Sequence, residues 1–200
     1  MRCTERTTLR IDNNLKTRIQ LLAIKNNFSM NKMFIYLLEL GYRSYVDRFE
    51  KDYEFKIYGP DLYGQGDEIR KLIVNNDVGS VLSLNSEIFG SEKEKILLDS
   101  DIFIQTSRSE GMPLGMLEAL SYGIPCLVTK GTGLGGLIQK YDAGWVAETN
   151  AEDIARVLTV AIQEKALYPQ KGANARRLVE ENFSWSNVAK STIAKYSAIV

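Results

Sequence analysis

The sequence predicts an α/β fold, in which a doubly wound parallel sheet follows a small β-α-α module. Short apolar runs alternate with helical patterns from about residue 53 onward, and this alternation is typical of a parallel sheet with helices on both faces. Charge separates the two parts. Residues 1–46 hold eight Lys and Arg against three Asp and Glu, whereas residues 47–200 hold seventeen against twenty-two. We therefore predict a basic module over residues 1–46 and an acidic one over residues 47–200.

Composition excludes several classes of site. The chain has no histidine, so histidine-based catalysis and histidine metal sites are excluded. Cys3 and Cys126 are the two cysteines, one near the terminus and one in a predicted buried strand, which argues against a disulfide and favours a reducing cytoplasm. No apolar run reaches membrane-spanning length. We expect a cytoplasmic protein without a transmembrane segment.

The first module reads as one strand and two helices. Residues 7–12 alternate between two faces, one of them basic, which predicts a strand. Asn13 can cap a first helix that ends at residues 26–27, and Ser29 a second that ends near Gly41. About forty residues cannot bury a sufficient core alone. We therefore expect a homodimer, in which two copies pair their strands and interlock their helices.

This module resembles the Arc-type ribbon-helix-helix family of DNA-binding domains, through residues 6–12 and the turn at residues 27–31. The resemblance implies double-stranded DNA as a partner, with the outward strand side chains in the major groove and the start of the second helix on a phosphate. The residues so implied are Arg6, Thr8, Arg10, Ser29 and Asn31. A basic edge strand also guards against aggregation, and dimerisation without DNA recognition stays an open alternative.

The second module predicts strands and helices in alternation. Its strands are predicted at residues 54–59, 81–84, 101–104, 126–128 and 145–147. Its helices are predicted at residues 67–74, 93–98, 114–122, 137–141, 151–165, 172–181 and 186–199, with a glycine-rich turn at residues 131–136.

The centre of this module is a strand–loop–helix–strand unit over residues 101–128. Pro113 is placed in the first helical turn, and Leu114, Leu117 and Leu120 recur at helical spacing as an apolar stripe. Gly123 ends the helix. The unit predicts one right-handed βαβ crossover of a parallel sheet.

Two glutamates, Glu110 and Glu118, lie within this unit. Glu110 lies in the loop at the carboxyl end of the first strand, where open α/β sheets bind ligands. Glu118 follows about two helical turns later and can face the same crevice. The N–H groups of Gly111, Met112 and Leu114 suit hydroxyl or phosphate oxygens. The alternative is that both glutamates are ordinary solvated residues.

Residues 109–114, Ser-Glu-Gly-Met-Pro-Leu, and 117–125, Leu-Glu-Ala-Leu-Ser-Tyr-Gly-Ile-Pro, closely resemble the donor-site signature of glycosyltransferase family 4. That family has the GT-B fold, with Rossmann-like domains and a Glu-x7-Glu motif, matched here by Glu110 and Glu118. The resemblance extends over about residues 53–200, including Gly59-Pro60 and the run at residues 182–185. It predicts that residues 47–200 are part of a GT-B C-terminal domain.

The resemblance implies roles for the site residues. Glu110 would be the catalytic residue that contacts the donor sugar, and Glu118 would bind the nucleotide ribose. The donor segment would consist of Gly111, Met112, Pro113 and Leu114. Lys130 and the following turn could approach the phosphates, or the turn could be an ordinary one. The donor would be a UDP- or GDP-sugar, bound as substrate, with no cofactor and no metal.

Asp99-Ser100-Asp101 matches an Asp-x-Asp metal motif, but a helix end followed by a strand explains these residues better. Two parts of the family's architecture are expected to be missing, namely the acceptor-binding domain and the first strand–helix unit of the donor domain, whose Arg and Lys neutralise the diphosphate.

Our leading hypothesis is therefore the nucleotide-sugar-binding half of a retaining glycosyltransferase that transfers a hexose to a glycan or other hydroxyl acceptor. This half is fused to a ribbon-helix-helix module and is expected to be catalytically incomplete alone. The alternative is a dimeric ribbon-helix-helix transcriptional regulator that carries a non-catalytic glycosyltransferase-like domain. A third possibility is an artificial junction or gene remnant made from two unrelated families.

Overall fold

A computed structural model of the chain describes residues 4–9, 17–24, 53–61, 64 and 66–198, the first two segments by their backbone. The described strands form one seven-stranded sheet in the order β4-β3-β1-β2-β5-β6-β7. The strands are β1 Thr4–Leu9, β2 Thr17–Ile24, β3 Tyr53–Tyr58, β4 Leu82–Asn85, β5 Ile102–Gln105, β6 Cys126–Thr129 and β7 Gly144–Ala147. β1 is antiparallel to β2 and β3, and the remaining pairings among β2 to β7 are parallel.

Helices follow β3, β4, β5, β6 and β7, so the prediction of a parallel sheet covered by helices is confirmed. Within the described residues they are α1 Gly66–Asn75, α2 Gly90–Leu98, α3 Leu114–Ser121, α4 Gly135–Tyr141, α5 Ala151–Gln163, α6 Tyr168–Phe183 and α7 Trp185–Ser197. A short 3-10 helix, Lys165–Leu167, joins α5 to α6.

The core has two halves, one on each face of the sheet. Ile102 and Ile104 of β5 pack with Leu127, Trp145 and residues of α1 and α5. Phe103, between them in sequence, packs on the other face with residues of α3, α4 and α6. Successive side chains of a strand point to opposite faces, so an entirely apolar strand must be covered on both. All four residues of β5 are buried, as this arrangement requires.

The prediction of a first helix that starts after Asn13 is wrong over residues 17–24, because these residues form the strand β2. Ile19 to Leu22 pair in parallel with Ile102 to Gln105 of β5. The apolar residues of this segment fit helical spacing, but the run is also apolar enough for a strand that is buried on both faces, and pairing with β5 decides between the two. A parallel strand that precedes β3 and adjoins β5 is therefore present, contrary to the expectation that the first strand of the donor domain is missing.

β1 overlaps in sequence with the strand predicted at residues 7–12, sharing residues 7–9, and it includes Arg6 and Thr8. It is paired within the chain to β2 on one side and to β3 on the other, with Arg6 opposite both Leu22 and Tyr58. Arg10, Ser29, Asn31 and the second predicted helix lie outside the described residues. The described residues thus give no support to the ribbon-helix-helix prediction.

The start of α3 differs from its prediction in two details. Pro113, predicted within the first helical turn, is instead the N-cap and has an extended backbone, with φ −75° and ψ 108°, whereas the helix begins at Leu114, the first residue of the predicted range 114–122. The buried face consists of Gly115, Met116, Ala119 and Leu120. Leu114 is 71% exposed, so the predicted stripe through Leu114 is wrong at its first member. The helix is rotated so that Met116 and Ala119, which lie between the leucines, meet the core.

α6 fixes the far end of α3 and the start of β7. Gly172 lies so close to Gly123 that a Cβ on Gly172 would be 2.3 Å from the Gly123 carbonyl oxygen. Next to it, the buried Lys171 forms an ion pair with Asp142. The Lys171 ammonium also lies 5.1 Å from the centre of the Trp145 ring, a cation–π geometry. These contacts join three helices to the sheet.

We predict that Asp142→Asn lowers the free energy of unfolding by about 1–2 kcal/mol, because it leaves a buried ammonium without its charged partner. Asn retains the left-handed backbone that Asp142 adopts, with φ 52°, so backbone strain is not introduced. Urea unfolding of the variant measures the effect. Adding Lys171→Met to Asp142→Asn removes the unpaired buried charge and is expected to restore part of the lost free energy of unfolding. Equal stability of wild type and Asp142→Asn would contradict this account.

Candidate functional site

The candidate site lies at the edge of the sheet where the parallel strands end. Because β2 to β7 all run in the same direction, the loops that follow β3 to β7 meet at one edge of the sheet. Glu110 follows β5 by five residues and lies in one of these loops, as predicted. Gly111 and Met112 are exposed beside it, and Leu114 is exposed at the start of α3. This segment therefore faces solvent at the edge of the sheet.

The main chain of Glu110 is fixed by the turn that follows β6. The Glu110 N–H donates to the Gly131 carbonyl oxygen at 2.9 Å, and the Glu110 carbonyl oxygen accepts from the Gly133 N–H at 2.6 Å. Glu110 and Thr132 thereby form an isolated parallel β-bridge. The glycine-rich turn predicted over residues 131–136 thus has a structural role that its composition did not specify.

Two glycines of this turn, Gly131 and Gly133, are required because the neighbouring main chain lies too close to admit a side chain. A Cβ on Gly131 would lie 2.2 Å from the Arg108 carbonyl oxygen, and one on Gly133 would lie 2.2 Å from the Gly111 carbonyl oxygen. Neither contact leaves room for a side chain. The loop and the turn are therefore packed backbone against backbone.

A group of buried polar side chains lies beneath this contact, at the ends of β5 and β6. Its members are at most 4% exposed and are Gln105, Thr106, Ser107, Thr129 and Thr132. The Thr129 hydroxyl donates to the Ser107 carbonyl oxygen, and Gln105 Nε2 donates to Ser107 Oγ at 3.3 Å. Our sequence analysis missed this group. The signal was available, because Gln105 and Thr129 are polar residues at the last position of otherwise apolar strands.

Glu118 is held by a lysine that the sequence analysis did not single out. Lys93 Nζ lies 2.7 Å from Glu118 Oε1, and both side chains are partly exposed. Lys93 is in the first turns of α2 and Glu118 in the second turn of α3, so the pair joins the starts of two neighbouring helices. Desolvation, followed by the carboxylates of Glu94 and Glu118, raises the pKa of the Tyr122 hydroxyl. No local sequence signal connects residues 93 and 118.

Lys130 lies at the end of β6, as predicted, and its ammonium forms an ion pair with Glu148, which follows β7. The hydrogen bond and the charge of Glu148 raise the pKa of Lys130. The Glu148 N–H in turn donates to Asp153 at 2.7 Å, and this bond is the main cause that lowers the pKa of Asp153. Lys130 is thus directed toward the loop between β7 and α5.

A second feature of this edge is a cavity of about 320 Å³ at the ends of β3 and β4. The Gly59-Pro60 turn that the sequence analysis noted forms one wall, and Asn85 and Ser86 form another. Asn85 Nδ2 donates to the Ile57 carbonyl oxygen at 3.2 Å and to Ser83 Oγ at 3.0 Å, which fixes that side chain. Both polar and apolar residues line this cavity.

Asp99 is the C-cap residue of α2, and β5 begins at Ile102, so the interpretation of Asp99-Ser100-Asp101 as a helix end before a strand is confirmed. Among the described residues, no group of three or more cysteine and acidic side chains is placed to hold a metal ion. In that same part of the chain, no helix combines the length and apolar character needed to span a membrane.

The chain is similar to several curated glycosyltransferases. It is 31% identical to N-acetyl-alpha-D-glucosaminyl L-malate synthase of Bacillus anthracis over 108 residues. The matched residues are 52% of this chain and 27% of that enzyme. It is 28% identical over 125 residues to UDP-Gal:alpha-D-GlcNAc-diphosphoundecaprenol alpha-1,3-galactosyltransferase of Escherichia coli, covering 62% of this chain and 32% of that enzyme. The chain thus spans about a third or less of the length of these two relatives.

Solved structures share the fold. A Staphylococcus aureus TarM variant in complex with Fondaparinux, alpha-GlcNAc-glycerol and UDP superposes with a TM-score of 0.71 at 22% identity, over 86% of this chain and 34% of TarM. The C-terminal domain of the group 1 glycosyl transferase LpcC from Francisella tularensis superposes with a TM-score of 0.61 at 18% identity, over 82% of this chain and 83% of that domain. The present α/β sheet therefore matches one domain of the GT-B fold.

The family model "Glycosyl transferases group 1" matches residues 6–178, which begin within β1 and end within α6. The match includes Glu110, Glu118 and the turn after β6, together with most of the segment that the sequence analysis had assigned to a separate basic module. The chain belongs to the group 1 glycosyl transferases.

Proposed function

We propose that this chain is the nucleotide-sugar-binding part of a retaining glycosyltransferase that transfers a hexose from a UDP- or GDP-sugar to a glycan or other hydroxyl acceptor. The observation that carries the proposal is the arrangement around Glu110 and Glu118 at the carboxyl edge of the sheet. The main chain of Glu110 is fixed by two hydrogen bonds, and the carboxylate of Glu118 is oriented by Lys93. Both glutamates of the family's motif are thus held in defined positions.

Glu110 is proposed as the residue that contacts the donor sugar. A carboxylate can accept hydrogen bonds from sugar hydroxyls, and its negative charge favours the positive charge that develops at the anomeric carbon when the bond to the diphosphate breaks. The two hydrogen bonds fix the main chain that carries this carboxylate, which reduces the reorganisation that this step would require.

The start of α3 is proposed to bind the diphosphate. Pro113 lacks an N–H, so the available backbone donors of this segment are Gly111, Met112 and Leu114. Gly111 has no atom within 4 Å of the position of a Cβ, which leaves space for a ligand to approach the main chain. The positive end of the helix dipole adds a favourable field for the phosphate oxygens.

Glu118 is proposed to bind the ribose hydroxyls of the nucleotide. The bond from Lys93 to Oε1 orients the carboxylate across the gap between α2 and α3. The similarity to a UDP-galactose-dependent enzyme and to a structure containing UDP supports a nucleotide donor. The base and the sugar are not specified by these residues, so UDP- and GDP-sugars are both candidates.

Sugar transfer also needs a site for the acceptor. Since the chain spans about a third or less of the length of these two relatives, we propose that its residues bind the donor and that turnover also requires an acceptor-binding half. We propose polysaccharide biosynthesis as the process that this transfer serves. Residue 46 as a domain boundary remains a prediction. DNA binding through the first residues and a homodimer also remain predictions, and no described contact favours them.

Glu118→Ala is expected to weaken the binding of the preferred nucleotide, UDP or GDP, by about tenfold or more, because hydrogen bonds to a charged group contribute about 1.5–3 kcal/mol. Isothermal titration calorimetry of wild type and variant measures the loss. Glu92→Ala is the matched control, since it removes the same charge from the exposed first turn of α2. Wild-type protein that binds neither nucleotide at millimolar concentration would refute the proposed function.

Glu110→Gln is expected to leave the binding of free UDP or GDP unchanged and to weaken the binding of the corresponding nucleotide sugar by about tenfold, since its proposed contact is with the sugar. Titrations with UDP, UDP-glucose, UDP-galactose, GDP and GDP-mannose identify the preferred donor and measure the effect. Ser109→Ala, at the neighbouring exposed loop position, serves as the control. An equal loss for nucleotide and nucleotide sugar would argue against a sugar contact.

A further inference from the structure

The loop that carries Glu110 has two anchors, one at the end of β6 and one in the turn that follows it. One is the pair of main-chain hydrogen bonds between Glu110 and the turn at residues 131–133. The other is the hydroxyl of Thr129, which donates to the carbonyl oxygen of Ser107, three residues before Glu110. Thr129 is completely buried and lies at the last position of β6.

Between these anchors, two residues of the loop are exposed to solvent. Arg108 and Ser109 are exposed, whereas Ser107 is 1% exposed. The buried end is fixed further by Gln105, whose amide donates to Ser107 Oγ. A displacement at Ser107 would therefore be transmitted along two exposed residues to Glu110. The close contact between Gly131 and Arg108 means that the loop cannot move toward the turn, so it would have to move away from it.

We infer that Thr129 is a positioning residue for Glu110, and that its hydroxyl sets where the Glu110 carboxylate meets the donor sugar. This inference rests on the proposed function, because it assigns Glu110 to the sugar. Loss of the hydroxyl leaves a buried carbonyl group without its side-chain donor, which favours a shift of the loop. Misplacement of a reacting group by about 1 Å can change its effect by about a hundredfold.

A purely structural role for Thr129 gives a different result. If Thr129 only stabilised the sheet, its replacement would weaken the binding of nucleotide and of nucleotide sugar by the same factor. It would also lower the thermal stability. A positioning role acts on the sugar contact alone. The ratio between the dissociation constant of the free nucleotide and that of the nucleotide sugar therefore separates the two roles.

The test compares wild type, Thr129→Val, Thr129→Ser and Glu110→Gln by calorimetric titration. UDP is paired with UDP-glucose and UDP-galactose, and GDP with GDP-mannose. Valine has the shape of threonine without the hydroxyl, and serine retains the hydroxyl. We expect Thr129→Val to lose at least fivefold in the affinity for the nucleotide sugar, to bind the free nucleotide as wild type does, and thus to resemble Glu110→Gln. Thr129→Ser is expected to recover most of the loss.

Two results would overturn the inference while leaving the proposed function intact. In the first, Thr129→Val binds the nucleotide sugar as wild type does. In the second, its affinities for nucleotide and nucleotide sugar fall by the same factor. Thr159→Val, at a partly buried position of α5, controls for the substitution itself. If Thr129→Val does not fold, Thr129→Ala removes the same hydroxyl without adding a methyl group and is judged by the same ratio. Wild-type protein that binds no nucleotide or nucleotide sugar refutes the proposed function itself, and the inference with it.

Discussion

The candidate site depends on a backbone contact between two loops. The turn after β6 lies against the loop after β5 at a distance that excludes side chains, since a Cβ at Gly131 or at Gly133 would overlap a carbonyl oxygen. Glycine is the residue that satisfies this constraint. Hydrogen bonds can then form directly between the two main chains, and they fix Glu110. The geometry of a charged residue is thus determined by two residues without side chains.

Local patterns predicted the elements of the larger part of the chain, because their causes are local. Short apolar runs specified β5 and β6, and Gly123, with φ 74°, ended the intervening helix as its sequence indicated. The buried face of α3 could not be obtained in this way, since Leu114 is as apolar as Leu120 and yet lies at the exposed edge of the sheet. The partner of Glu118 was equally inaccessible, because Lys93 is brought to it by the packing of α2 against α3.

β2 illustrates the limit of periodicity as a signal. Its residues satisfy the spacing of an amphipathic helix, and the same residues also form an apolar run suited to the interior of a parallel sheet. The choice between these structures depends on β5, whose sequence lies some eighty residues further along, at Ile102–Gln105. The helix prediction failed there because the deciding contacts are remote. The helix prediction was one part of the strand–helix–helix pattern on which the resemblance to the ribbon-helix-helix family was based, together with residues 6–12 and the turn at residues 27–31.

The charges at the site bear on how a diphosphate would be bound. Lys93 is paired with Glu118, and Lys130 is paired with Glu148. A phosphate that recruits either ammonium must compete with a carboxylate that already occupies it, so part of the Coulombic gain is offset by the lost ion pair. The backbone N–H groups at the start of α3 carry no such cost. In the proposed complex they therefore contribute more to diphosphate affinity than either of these lysines does, and Lys93 serves chiefly to hold Glu118 against the ribose.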